Sequence, residues 1–97
     1  MPHPKNKFKN VIDGRWREAR SGKSFEDRNP ARIQDLIGLF PRSQKEDVDQ
    51  GVQAAKEAFE SWRKVPPPKR GEILYEVGRI LIRQKEELAR LMTREMG

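Results

Sequence analysis

Three consecutive prolines, Pro66 to Pro68, divide the second half of the chain into two amphipathic patterns. Before them, apolar residues recur at alternating spacings of four and three, which places them on one face of a helix: Val48, Val52, Ala55, Phe59 and Trp62. After them, a second apolar stripe extends over residues 73–92. Proline ends a helix but is tolerated in the first turn of the next one. We therefore predict one helix over residues 43–64 and another over residues 66–96.

The start of the first helix carries a capping signal. Ser43 is followed three residues later by Glu46, a spacing at which each side chain satisfies a free backbone N–H of the other residue. The pattern predicts a capping box at these two residues.

Residues 8–41 have the pattern of short strands separated by turns. Asp13 and Gly14 suit a two-residue type I′ turn between two such strands, and Pro30 disfavours helix at Asn29. We predict four strands, at residues 8–12, 15–18, 24–28 and 36–40. Residues 1–7, which include His3, are predicted to form a disordered basic tail.

The charge pattern argues against specialised partners. The net charge is +6, but acidic and basic residues alternate along the second helix, which is typical of a solvated face rather than of a nucleic-acid-binding stripe. No apolar run approaches the length of a membrane span, so we expect a cytoplasmic protein with no membrane partner. A third, minor hypothesis is that the basic chain binds nucleic acid.

Catalytic motifs are absent from the sequence. The chain has no cysteine and one histidine, which excludes a Ser-His-Asp or Cys-His set. Gly22, Lys23 and Ser24 resemble the end of a phosphate-binding P-loop, but Arg17 stands where that motif requires glycine and a strand-like segment follows instead of a helix. We predict no catalytic and no cofactor-binding residue in this chain.

Several short pieces, taken in order, resemble one enzyme family. They are Ile12-Asp13-Gly14-Arg15-Trp16, Asn29-Pro30, Asp47-Val48-Asp49, Ala58-Phe59 and Glu95-Met96-Gly97. Their succession is similar to the opening of an NAD(P)-dependent aldehyde dehydrogenase subunit. The resemblance implies an α+β fragment, with short antiparallel strands followed by two amphipathic helices. Residues 8–97 would form the N-terminal portion of that family's Rossmann-like α/β cofactor-binding domain.

The resemblance also implies what the chain lacks. The family oxidises an aldehyde to a carboxylate with NAD or NADP, through a thiohemiacetal on a cysteine that this chain does not contain. We therefore expect a structural contribution only, with no cofactor bound by this chain alone. The expected partner is the rest of the subunit, or a second copy through self-association. The alternative hypothesis is a free-standing interaction or oligomerisation module derived from the family.

One binding site follows from the resemblance alone. Some members of the family hold a structural monovalent cation between carbonyl oxygens before the Asn-Pro pair and an acidic residue near the end of the second helical region. The matching positions are Asp27, Arg28 and Glu95. Oxygen ligands suit such a hard cation, but three are too few for a closed site, so further ligands would come from the rest of the subunit.

Overall fold

A computed structural model of the chain describes residues 6–97. Most of the predicted tail, including His3, lies outside the described residues. Lys7 at its end is part of the fold, because it forms a parallel bridge with Leu39 and its ammonium lies 3.2 Å from a carboxylate oxygen of Glu18. The folded part therefore begins before residue 8.

Strands β1 (Asn10–Ile12) and β2 (Arg15–Arg17) form the predicted antiparallel hairpin. Ile12 lies opposite Arg15, so the connection has two residues. Both adopt left-handed backbone angles, with φ of 55° at Asp13 and 70° at Gly14. This is the conformation of a type I′ turn, whose twist matches that of the flanking strands.

Strands β3 (Ser24–Arg28) and β4 (Leu36–Pro41) form a second antiparallel pair. Phe25 lies opposite Phe40, and the ring of Phe8 stacks on Phe40 with centroids 4.9 Å apart. Gly38 makes this approach possible, since a Cβ at that position would lie 2.5 Å from a ring carbon of Phe8. The aromatic side chains therefore attach the N-terminal segment to this sheet.

The N-cap of helix α1 (Lys45–Trp62) lies one residue later than the predicted cap at Ser43. Gln44 is the N-cap residue, and Asp47 accepts a hydrogen bond of 2.8 Å from its backbone N–H. The capping box predicted at Ser43 and Glu46 is therefore wrong. Tertiary contacts select the other register, because the Ser43 hydroxyl accepts a hydrogen bond from the side chain of Asn10 in β1.

The second predicted helix is two helices, α2 (Pro67–Arg83) and α3 (Lys85–Met96). Gln84 leaves helical geometry, with φ of −99° and ψ of 12°. Apolar periodicity missed this break because the stripe continues across it. A charge signal marks it: Arg83 lies in the last turn of α2, and Glu86 and Glu87 lie in the first turn of α3, as helix dipoles favour. The α+β architecture is confirmed, but the continuous helix over residues 66–96 is wrong.

The fold buries little apolar surface. Among residues 6–97, the buried apolar side chains are Ala19 and Ile37. Most large apolar side chains of the helices are exposed instead. None of the helices in this part of the chain has both the length and the apolar character needed to cross a membrane. The helical stripes predicted from the sequence exist, but this chain does not cover them.

Candidate functional site

The predicted cation ligands lie on two different elements. Asp27 is in β3 opposite Gly38, and Glu95 is exposed near the end of α3. Arg28 ends β3, where its guanidinium donates to a Glu26 carboxylate oxygen at 2.8 Å and to the Ile33 carbonyl at 3.0 Å.

The side chains of residues 6–97 include no cluster of three or more histidine, aspartate or glutamate residues suited to a metal ion. A cation at these positions would therefore depend on backbone carbonyls and on ligands from elsewhere. The assignment of Asp27, Arg28 and Glu95 stays a prediction.

The end of α3 is joined to the loop between β3 and β4 by an ion pair. Nε of Arg94 donates to Oδ2 of Asp35 at 2.8 Å, and its Nη2 donates to Oδ1 of the same carboxylate. Nη2 also donates to the Leu36 carbonyl at 3.1 Å. This two-point contact spans 59 positions in the sequence, and we refer to it as the Asp35–Arg94 clasp. Sequence analysis missed it, because separated charges carry no local signal of pairing.

The surrounding loop supports the clasp. The backbone N–H of Asn29 donates to the Asp35 carbonyl at 3.0 Å, and its side-chain amide lies 3.4 Å from the Asp35 carboxylate. Gly97, at φ of 80°, lies against Pro30, where a Cβ would come within 2.9 Å of the proline ring. The segment that holds Glu95 therefore lies against the segment that follows β3.

The clasp also sets the charge state of Asp35. The hydrogen bond from Arg94 lowers the pKa of the Asp35 carboxyl from 3.8 to about 2, outweighing the opposing effect of burial. Arg32 nearby adds to this lowering. The Asp35 carboxylate therefore stays ionised as the pH falls well below neutral, and it keeps its ion pair with the Arg94 guanidinium.

A buried carboxylate joins the strands to α1. Asp47 is 5% exposed, and its two oxygens accept from different backbone N–H groups: Oδ2 from Gln44 and Oδ1 from Arg20 at 2.9 Å. The hydrogen bond from the Gln44 backbone has the largest effect in holding the pKa of Asp47 below its usual value, and the bond from the Arg20 backbone adds to it. A backbone segment after β2 is thereby tied to the first turn of α1.

Two uncovered apolar faces are the largest functional candidates. The α1 apolar face consists of Val48, Val52, Phe59 and Trp62, and the α2 apolar face consists of Ile73, Val77, Ile80 and Leu81. Each of these side chains is more than a third exposed, from 37% at Ile80 to 59% at Val48. Continuous apolar surface of this kind marks a protein interface rather than a solvated surface.

Comparison with known proteins decides what kind of chain carries these faces. Residues 16–97 match the sequence signature of the aldehyde dehydrogenase family. This chain belongs to the aldehyde dehydrogenase family. The resemblance drawn from the sequence is therefore confirmed.

Curated aldehyde dehydrogenases match almost the whole chain. Malonate-semialdehyde dehydrogenase 2 of Geobacillus kaustophilus is 47% identical over 90 residues, which are 93% of this chain and 18% of the relative. Alpha-ketoglutaric semialdehyde dehydrogenase of Bacillus subtilis is 40% identical over 92 residues, 95% of this chain and 19% of the relative. The chain therefore spans about a fifth of the length of these relatives and matches their N-terminal part.

Solved structures confirm the fold. An NAD-dependent aldehyde dehydrogenase from Sinorhizobium meliloti aligns with a TM-score of 0.81 at 25% identity, covering 90% of this chain and 18% of that one. An aldehyde dehydrogenase from Bacillus cereus aligns with the same TM-score at 33% identity, covering 93% and 20%. The strands and helices described above are thus a piece of an aldehyde dehydrogenase subunit.

Proposed function

We propose that this segment serves its aldehyde dehydrogenase subunit as a structural element, supplying packing surface and no catalytic group. The observation that carries the proposal is the exposure of the α1 and α2 apolar faces in a chain that matches a fifth of the family's length. Burying such surface contributes about 25 cal/mol per Å², a driving force that the small core of this chain leaves unused. The occupant of both faces is the remainder of the subunit.

The proposed reaction of the whole subunit is oxidation of an aldehyde to a carboxylate with NAD or NADP. The name of the Sinorhizobium meliloti structure, an NAD-dependent enzyme, supports this cofactor class. The chain has no cysteine, so a thiolate nucleophile would come from another part of the subunit. The cytoplasmic location expected from the sequence also stays a prediction.

The substrate we propose is a semialdehyde, an aldehyde that also carries a carboxylate. Its support is that the relatives described above are named for malonate semialdehyde and for alpha-ketoglutaric semialdehyde. No residue of this chain is assigned to substrate recognition.

A chimera tests the proposal directly. This chain replaces the matching N-terminal segment of the Geobacillus kaustophilus enzyme, and NAD(P)H formation is measured with malonate semialdehyde. We expect an active chimera, whereas the 97-residue chain alone forms no NAD(P)H. Aldehyde-dependent activity of the chain alone, or a folded chimera in which both apolar faces stay open to solvent, would contradict the proposal.

Self-association through the same faces is the second candidate function, and their exposure is the observation that favours it. Sedimentation of the chain alone distinguishes the two interpretations. If the segment is an interaction module, the chain alone forms an oligomer of defined size. The chimera described above then forms no NAD(P)H.

A further inference from the structure

The charged residues of helix α2 from position 71 onward lie on one side of the helix. They recur at spacings of four, three and four residues: Glu72, Glu76, Arg79 and Arg83. An ion pair runs along this side, with the Arg79 guanidinium 3.4 Å from a Glu76 carboxylate oxygen. The α2 apolar face lies next to this charged side. Over residues 71–83, the remainder of the helix circumference carries no charged residue.

A second uncharged side lies nearly opposite the α2 apolar face. Four residues recur there at the same spacings, and we call them the second α2 face: Gly71, Tyr75, Gly78 and Ile82. Helical geometry of about 100° per residue places Ile82 roughly 140° around the axis from Val77 of the α2 apolar face. The two large side chains, Tyr75 and Ile82, are 73% and 76% exposed. One packed helix or sheet cannot cover both faces at once.

The glycines of the second α2 face cost helix stability that nothing in this chain explains. Glycine inside a helix is unfavourable relative to alanine, because its backbone loses more freedom on folding. A Cβ at Gly71 or Gly78 would meet no atom within 4 Å among residues 6–97. A glycine between two large side chains leaves a gap on the helix surface that a side chain of a neighbouring element fills. Alternating gaps and large side chains are therefore typical of close packing against an element from outside this chain.

The size of the second α2 face favours a contact within the subunit over a contact between two copies of this chain. Its two large side chains lie seven residues apart, about 10 Å along the helix axis. Two side chains of this size bury at most about 500 Å². Each partner of a stable protein–protein interface contributes about 800 Å². The chain matches 18% of the length of the Geobacillus kaustophilus enzyme, so a whole subunit has further elements that could cover this face.

We propose that α2 is an interior helix of its subunit, covered by one element on the α2 apolar face and by another on the second α2 face. Only the charged side is then open to water. A helix with uncharged faces on two sides is typical of a buried position. Both covering elements belong to the rest of the subunit, so this assignment rests on the function proposed above.

The reactivity of introduced cysteines tests the position of α2. The chain has no cysteine, so an introduced thiol is the only one in the chain alone. Ile82→Cys, Val77→Cys and Arg79→Cys are made in the chain alone and in the chimera described above. Alkylation of each site by iodoacetamide is followed by mass spectrometry, and formation of NAD(P)H beforehand shows that each chimera is folded.

Burial should slow the reaction at two of the three positions. We expect alkylation at positions 77 and 82 to be at least about tenfold slower in the chimera than in the chain alone. Position 79 is the matched control on the charged side, and its rate should change by less than about twofold. Tyr75→Cys reports on the same face as position 82 where Ile82→Cys prevents folding.

The possible results separate this assignment from the function proposed above. If position 77 is protected in the chimera but position 82 reacts as fast as position 79, α2 is covered on one side only, and the proposed function stands. Fast alkylation at both 77 and 82 in an active chimera would overturn both. Protection at position 82 that grows with the concentration of the chain alone would instead assign the second α2 face to a second copy of this chain.

Discussion

A carboxylate placed on the α1 apolar face should separate the stability of this segment from the stability of its complex with the rest of the subunit. Val52 lies in the middle of that face and is 54% exposed in the chain by itself. The change Val52→Asp therefore removes little packing within the segment. In the whole subunit, the same carboxylate would have to be buried.

The expected magnitudes differ strongly between the two settings. Full burial of a valine side chain contributes about 1.5–3 kcal/mol, so the exposed half leaves roughly 1 kcal/mol for an interface at this position. Burying an unpaired polar group costs about 1–3 kcal/mol more. The substitution should lower the free energy of unfolding of the chimera by about 2–4 kcal/mol. In the isolated chain, a change of at most about 0.5 kcal/mol is expected, as for a surface site.

The assay is urea unfolding of both proteins, followed by circular dichroism. Gln53→Asp is the matched control, because position 53 is the next residue along α1 and points about 100° away from Val52. It should cost no more than about 0.5 kcal/mol in either protein, through loss of the side-chain bond to Glu57 and repulsion from it. Equal effects of Val52→Asp on the chain and on the chimera would refute the assignment of this face to the interface.

Three further outcomes are expected. Gly38→Ala should displace the ring of Phe8, since the new Cβ would lie 2.5 Å from it, and the NMR chemical shifts of that ring should change. Gly51→Ala is the control: a Cβ there meets open space within 4 Å among the described residues, so the shifts of the Phe8 ring should stay the same. Asp47→Asn should lower the melting temperature, because its amide nitrogen would face one of the two backbone N–H groups that the carboxylate now accepts. The pKa of Asp35 falls from 3.8 in the unfolded chain to about 2 in the fold, so its stabilisation is complete above about pH 4 and is lost as the pH falls toward 2. The protection of α3 amides from hydrogen exchange, measured relative to the intrinsic exchange rate at each pH, should fall in that window, and Asp35→Asn should abolish this loss of protection.

The sequence alone predicted the elements whose causes are local. The turn at Asp13 and Gly14 follows from the backbone preferences of two adjacent residues, and the strands that flank it follow from the chain beside them. The apolar stripes of the helices follow from helical periodicity, and the family follows from the order of short motifs. Each of these signals is contained within a few neighbouring residues, so no knowledge of the folded molecule was needed.

Only the tertiary structure decided which partners distant residues choose. In the capping box of α1, Asp47 rather than Glu46 accepts the hydrogen bond from the backbone of the N-cap residue. Its other carboxylate oxygen accepts from the backbone of Arg20, 27 positions away, and this distant contact selects Asp47. Arg94 finds Asp35 across 59 positions, and no local pattern distinguishes it from the other arginines. The predicted apolar faces proved to be real but uncovered, because periodicity states which side chains share a face and not what covers them. On the function proposed above, the surface that covers them belongs to another part of the subunit, which neither this sequence nor its fold describes.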